Sequence, residues 1–101
     1  MILVNNGQDI HVQIKANVAK TFSYVVENTS DKSLYLTLGK VSCSCTQLDI
    51  SEFTLAPGEK KRVNGTVLRG TSALFTPNIM YGETQEGDKQ MIFYNINIEL
   101  T

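Results

Sequence analysis

The reading of the fold turns on residues 91–100, MIFYNINIEL. Ile92, Tyr94, Ile96, Ile98 and Leu100 alternate with Phe93, Asn95, Asn97 and Glu99. A helix brings its buried face round every ~3.6 residues, whereas a strand turns successive side chains to opposite faces. An apolar period of two therefore predicts a half-buried strand, greasy on one side and polar on the other.

The same period recurs along the chain. Ile10, Val12 and Ile14 alternate with His11, Gln13 and Lys15, and Leu34, Leu36 and Leu38 alternate with Tyr35 and Thr37. TFSYVVEN (21–28) and RVNGTVL (62–68) give two more strands, carried by Phe22, Tyr24 and Val26 and by Val63 and Val67. ALFTPNIMYGE (73–83) is a further one. Its Pro77 cannot donate to a sheet ladder and is expected at a bend or bulge. Turn-forming runs separate the strands: NNGQD (5–9), ENTSDKS (27–33), APGEK (56–60), LRGTS (68–72) and ETQEGDK (83–89). The last is read as the acidic tip of a hairpin. The apolar ILV at 2–4 is expected to pair as an edge strand. No window favours a helical period. Short strands separated by regular turns predict an all-β protein, a single Ig-like antiparallel β-sandwich of about seven strands over residues 1–101.

Size and charge narrow the function. The 101 residues suit one domain with one core, and 42% apolar against 19% charged residues is a globular composition. A net charge of −1 gives no electrostatic footprint for nucleic acid. No apolar run nears the ~18 residues that span a bilayer, so no membrane partner is expected. The N-terminus lacks the basic and apolar leader of an exported chain. The sequons at Asn28 and Asn64 are therefore read as chance.

Both cysteines sit in KVSCSCTQLDI (40–50), one residue apart. On a strand Cys43 and Cys45 share a face, and a bridge across one residue would be strained. Zinc wants about four ligands, and the chain offers two thiols and His11 on another strand. A thiolate nucleophile needs a base in reach, and His11 falls on the polar side of its strand. The favoured reading is two small semi-buried side chains that mark the fold. A thiol-dependent metal or redox protein using Cys43 and Cys45 stands as an alternative. No cofactor is expected. Pro57 and Gly58 fit positions i+1 and i+2 of a type II turn, because proline pre-sets φ and glycine accepts a positive one. Lys60, Lys61 and Arg62 follow, split by strand alternation across two faces and read as edge charges that deter unwanted pairing. No paired acids, phosphate loop or Ser-His-Asp set emerges, so the protein is expected not to be an enzyme.

Over residues 20–68 the chain resembles a known family of bacterial Ig-like domains, abundant in Bacteroidetes. That family is related in pattern to Hydin-type and major-sperm-protein-like sandwiches. The resemblance lies in the strand Phe22 to Asn28, the Leu-rich strand Leu34 to Leu38, the motif Ser42-Cys43-Ser44-Cys45-Thr46 and the turn Pro57-Gly58-Glu59. Family members usually carry Gly where this chain has Ser44, and are commonly exported. The resemblance implies a fold rather than an activity.

With little chemistry on offer, function is sought on exposed faces. Tyr35 and Phe93 fall on the polar sides of their strands, with Phe75 or Met80 as further candidates. Ile2, Leu3 and Val4 are candidates for adding a strand to a neighbour's sheet. The expected function is structural: an auxiliary, or decoration, protein of a bacteriophage capsid. It would be present in many copies on the virion and bind major capsid or other virion proteins. That step rests on a lone domain with its own initiator Met, no export signal and a family frequent in such hosts. The alternative is an Ig-like adaptor in the bacterial cytoplasm or periplasm that binds a cellular protein by edge-strand addition.

Overall fold

A computed structural model describes residues 2–38 and 46–101. The motif cysteines Cys43 and Cys45 lie outside the described residues. Nine strands lie among the described residues: β1 (Ile2–Val4), β2 (Ile10–Ile14), β3 (Lys20–Asn28), β4 (Leu34–Leu38), β5 (Thr46–Leu48), β6 (Glu52–Leu55), β7 (Lys60–Val67), β8 (Leu74–Thr84) and β9 (Lys89–Leu100). They form a four-stranded sheet, order β1-β3-β7-β5, and a five-stranded sheet, order β2-β9-β8-β4-β6. The sandwich expected from the alternation is thus what the chain builds.

Two connections carry the chain from one sheet to the other. β1 pairs with the end of β3, and a 3-10 turn at Asn5–Gly7 then carries the chain across to β2. Asn5, Asn6 and Gly7 all have positive φ (51°, 55° and 78°), which forces the chain off the β3 edge. The Asn5 side chain donates to the carbonyls of Gln8 and Asp9 and fixes the crossing. In the same way β5 pairs with β7, and β6, four residues on, pairs with β4. These crossings raise the strand number above seven. They also create one parallel pair, β2 with β9, in a sandwich expected to be antiparallel throughout.

The alternation sorts the side chains as its period predicts. Val26, Leu36, Val63, Val67, Met80 and Ile96 are fully enclosed between the sheets. Met80 is therefore core, not surface. It shares inward parity with Asn78 and Gly82, while Phe75, Pro77, Ile79 and Tyr81 take the outer positions. Pro77 makes no bulge either, since the register runs unbroken from Thr76↔Ile96 to Asn78↔Tyr94. The bond from the Thr84 amide to the Asp88 carbonyl sets the even residues of β8 as those bonded to β9. Residue 77 is odd, so its nitrogen faces the β4 side, and β4 pairs only from Met80 onward. Proline here forfeits no described ladder bond.

The expected type II turn is present. The Glu59 amide donates to the Ala56 carbonyl at 3.0 Å, and Gly58 has φ +77°. A Cβ on Gly58 would meet nothing within 4 Å, so the demand for glycine is conformational alone. Gly58→Ala is expected to cost about 1 kcal/mol, the penalty of a left-handed L-residue. A urea titration with an unchanged midpoint would show that the turn relaxes freely.

Candidate protein-contact face

The two outer faces differ in chemistry. Outside the four-stranded sheet, β3 presents Thr21, Ser23, Val25 and Glu27, and β7 presents Lys60, Arg62, Asn64 and Thr66. Asn64 is tied to Asp49, donating from its backbone and side-chain amides to the two carboxylate oxygens, each at 3.1 Å. Apart from Val25, the residues named on that surface are polar or charged.

The outer face of the five-stranded sheet is not. β8 sets Tyr81 opposite Met91 and Ile79 opposite Phe93, and β4 sets Thr37 beside Tyr81 and Tyr35 beside Glu83. Phe93 is 68% exposed and Met91 58%. Of the eight exposed large apolar side chains among the described residues, five lie here: Tyr35, Phe75, Tyr81, Met91 and Phe93. Next to them a cleft of about 480 Å³ is lined by Tyr35, Thr37, Tyr81, Glu83, Lys89 and Met91. The Tyr35 hydroxyl donates to the Glu52 carboxylate from β6. That bond to an anion is the main reason the phenol is held above its ordinary pKa.

Tyr35 and Phe93 come from strands that are not neighbours, and β8 between them joins them, its Tyr81 lying beside Thr37 of β4 and opposite Met91 of β9. Alternation placed both on the polar side of their strands. It missed Tyr81 and Met91 as members of the patch, because membership depends on a register set by partners tens of residues away. Ile2, Leu3 and Val4 lie elsewhere, on the edge of the other sheet, where Ile2 and Val4 are buried in the core. Their side chains serve this molecule's own packing, and only the outward backbone of β1 is open to a neighbour.

The remaining candidates make no chemical site. His11 is exposed, its Nδ1 3.9 Å from Glu99. Among the described residues no group of three or more His, Cys, Asp or Glu is placed to hold a metal. None of their helices is long and apolar enough to cross a membrane. Asn28 of the first sequon is fully buried with its amide nitrogen bonded to two carbonyls, which closes it to modification.

Known structures share this architecture. A protein of unknown function from Porphyromonas gingivalis W83 superposes with a TM-score of 0.83 at 18% identity, over 99% of this chain and 47% of its own. The chain thus spans about half the length of that relative. SSP-19, an MSP-domain protein-like family member in Caenorhabditis elegans, gives 0.73 at 10% identity over 90% of this chain and 94% of its own. The E. coli chaperone DraB gives 0.70 at 10% identity over 97% and 54%. These likenesses establish an immunoglobulin-like sandwich and nothing finer. No curated protein matches the sequence. The family model DUF1573, described as a protein of unknown function, matches residues 5–97, and the chain belongs to that family.

Proposed function

We propose that this domain is a non-catalytic protein-binding module that holds its partner against the outer face of the five-stranded sheet. The observation that carries the reading is the contrast between the faces: among the described residues five of eight exposed large apolar side chains lie on one, and a single one, Val25, on the other. Tyr, Phe and Met are the side chains that protein interfaces concentrate, and a patch of this kind on a soluble domain marks a contact surface. The chaperone among the structural relatives gives a precedent for such a sandwich working on other proteins. The capsid-decoration reading draws no support from the relatives above, so the partner is proposed to be cellular. The proposed setting is a bacterial cytoplasm or periplasm, in keeping with the two bacterial relatives.

The test is site-specific photo-crosslinking in the native source. A crosslinker at residue 93 or 81 is expected to give a discrete protein adduct, and one at residue 66, on the polar face, none. Phe93→Thr with Met91→Thr keeps strand propensity and is expected to change stability by less than about 1 kcal/mol. It should weaken the partner at least about tenfold, as loss of a contact hot spot does. Equal adducts from both faces, or an undiminished partner in the double variant, would rule the reading out.

A further inference from the structure

The two outer faces leave one surface unused: the lateral slot between β2 and β3. Its origin is the crossing at Asn5–Gly7. β1 lies on β3 only from Asn28 to Val26, in the register Ile2↔Asn28 to Val4↔Val26. The next residue on that line would be opposite Val25, but the three left-handed residues turn the chain away. From residue 25 back to residue 21, β3 has no strand on that side among the described residues.

Which groups are free follows from the ladder. The Asn28 amide donates to the Glu59 carbonyl at 3.0 Å, which makes 28 and 59 a hydrogen-bonded pair. The register continues without a bulge through Val26↔Lys61 and Tyr24↔Val63 to Lys20↔Val67. In an antiparallel ladder such pairs alternate, so the even residues of β3 bond to β7. Thr21, Ser23 and Val25 therefore turn their N–H and C=O outward into the slot.

This edge also lacks the usual guards. On the β5 side, the stretch of β7 that has no partner among the described residues carries Lys60, Lys61 and Arg62, charges that deter pairing. Thr21, Ser23 and Val25 carry none, and two of the three are β-branched. Beside them opens a cleft of about 590 Å³ lined by the apolar Phe22 and Val18 together with His11, Lys15 and Lys20. His11 faces Glu99, so Lys15 and Lys20 are the cations left to meet an incoming charge.

We infer that the free edge of β3 at residues 21–25 accepts an extended acidic peptide as an added antiparallel strand. The line of β1 sets the direction: the added strand runs from Val25 toward Lys20. At ~3.3 Å per residue it is about five residues long. Side chains facing the slot rest on Phe22 and Val18 and are apolar. Carboxylates at the C-terminal end meet Lys15 and Lys20. Main-chain bonds give the affinity, and the pocket and cations give the choice of sequence. This surface is separate from the aromatic face and stands or falls without it.

The probe is a fluorescein-labelled, amide-capped peptide of alternating valine and serine that ends in two glutamates. Its binding is read by anisotropy and by amide hydrogen exchange in the intact domain. Saturation is expected to protect the amides of Thr21, Ser23 and Val25 and leave those of Phe22 and Tyr24, already bonded to β7, unchanged. Lys15→Glu with Lys20→Glu, both exposed and tolerant of change, should weaken binding at least about tenfold, or ~1.4 kcal/mol. N-methylation of alternate peptide amides should do the same. Phe93→Thr with Met91→Thr should leave binding intact, which separates this site from the aromatic face. The inference is overturned if no saturable binding appears by roughly millimolar peptide, or if a peptide ending in two lysines binds equally well. Protection at Met91 and Phe93 instead would also overturn it.

Discussion

Replacing Asn28 with leucine is expected to cost about 3–4 kcal/mol, though the side chains are close in size. Asn28 ends β3 and is fully buried. Its amide nitrogen donates to the carbonyls of Lys32 at 2.7 Å and Leu55 at 3.1 Å. Its side-chain oxygen accepts from the Ser30 amide at 3.0 Å and the Ser30 hydroxyl at 2.6 Å. Its own backbone takes the Gly58 amide at 2.8 Å and donates to Glu59. One residue thus locks the 29–33 turn, the end of β6 and the Pro57-Gly58 turn. Leucine strands the Ser30 amide, at roughly 1–3 kcal/mol where water cannot replace the bond, and takes one donor, worth about 1 kcal/mol, from each of two carbonyls: Lys32, which keeps the Ser30 hydroxyl, and Leu55, which keeps its ladder bond to Leu34. Partial exposure of the turn keeps the total near the lower end. For a domain of this size about 12–20 °C of melting temperature should be lost. Aspartate should be no better near neutral pH, since its carboxylate would face two carbonyl oxygens. Thermal unfolding of Asn28→Leu and Asn28→Asp within 5 °C of the parent, a margin of about 1 kcal/mol, would show that the network is dispensable.

That role was only half legible in the sequence. Asn28 was visible as the polar end of an aromatic-led strand and as part of a sequon. Nothing local says that its partner is the Leu55 carbonyl, 27 residues on. The same division runs through the molecule. Period two identified β9 and put Tyr94, Ile96 and Ile98 inside, because alternation is a local property of the backbone. It put Leu100 inside too, yet Leu100 sits at the end of β9 and is 47% exposed. Met80, offered beside Phe75 as a surface candidate, is core, because the register runs unbroken past Pro77 and alternation carries the even residues of β8 inward. The NNGQD run was read as a turn, correctly, but a turn signal does not say which sheet the chain enters next. Hence neither the parallel β2–β9 pair nor the free edge it leaves on β3 was foreseen. The aromatic patch needed all of this at once. Tyr35 and Phe93 meet only through β8.

At high pH the domain is expected to unfold cooperatively, and two buried tyrosines should set the limit. Tyr24 of β3 and Tyr94 of β9 reach across the core, one hydroxyl donating to the other at 3.0 Å. The rings lie 5.5 Å apart, tilted by 45°. Burial is the first cause that holds the Tyr24 phenol far above its ordinary value, with the charge and hydrogen bond of Tyr94 adding to it. Burial also raises Tyr94, while its bond from Tyr24 acts in the opposite sense. Both phenols thus keep their protons in the fold at pH values where the unfolded chain, ionising near pH 10, has released them. The folded state then binds more protons than the unfolded one, so stability falls as pH rises. The protection is complete below about pH 10 and is lost at about 1.4 kcal/mol per pH unit for each such tyrosine above it. Tyr24 alone should remove about 3 kcal/mol by pH 12, a large part of an ordinary margin of roughly 5–15 kcal/mol. At neutral pH, Tyr24→Phe should cost about 1–2 kcal/mol, because it strands the Tyr94 hydroxyl in the core. The double change with Tyr94→Phe should recover most of that, since it leaves no stranded partner. It should also flatten the alkaline limb. The check is urea unfolding of the parent, single and double variants at pH 7, 10, 11 and 12. A limb of equal slope in the double variant would mean that groups other than this pair drive alkaline unfolding.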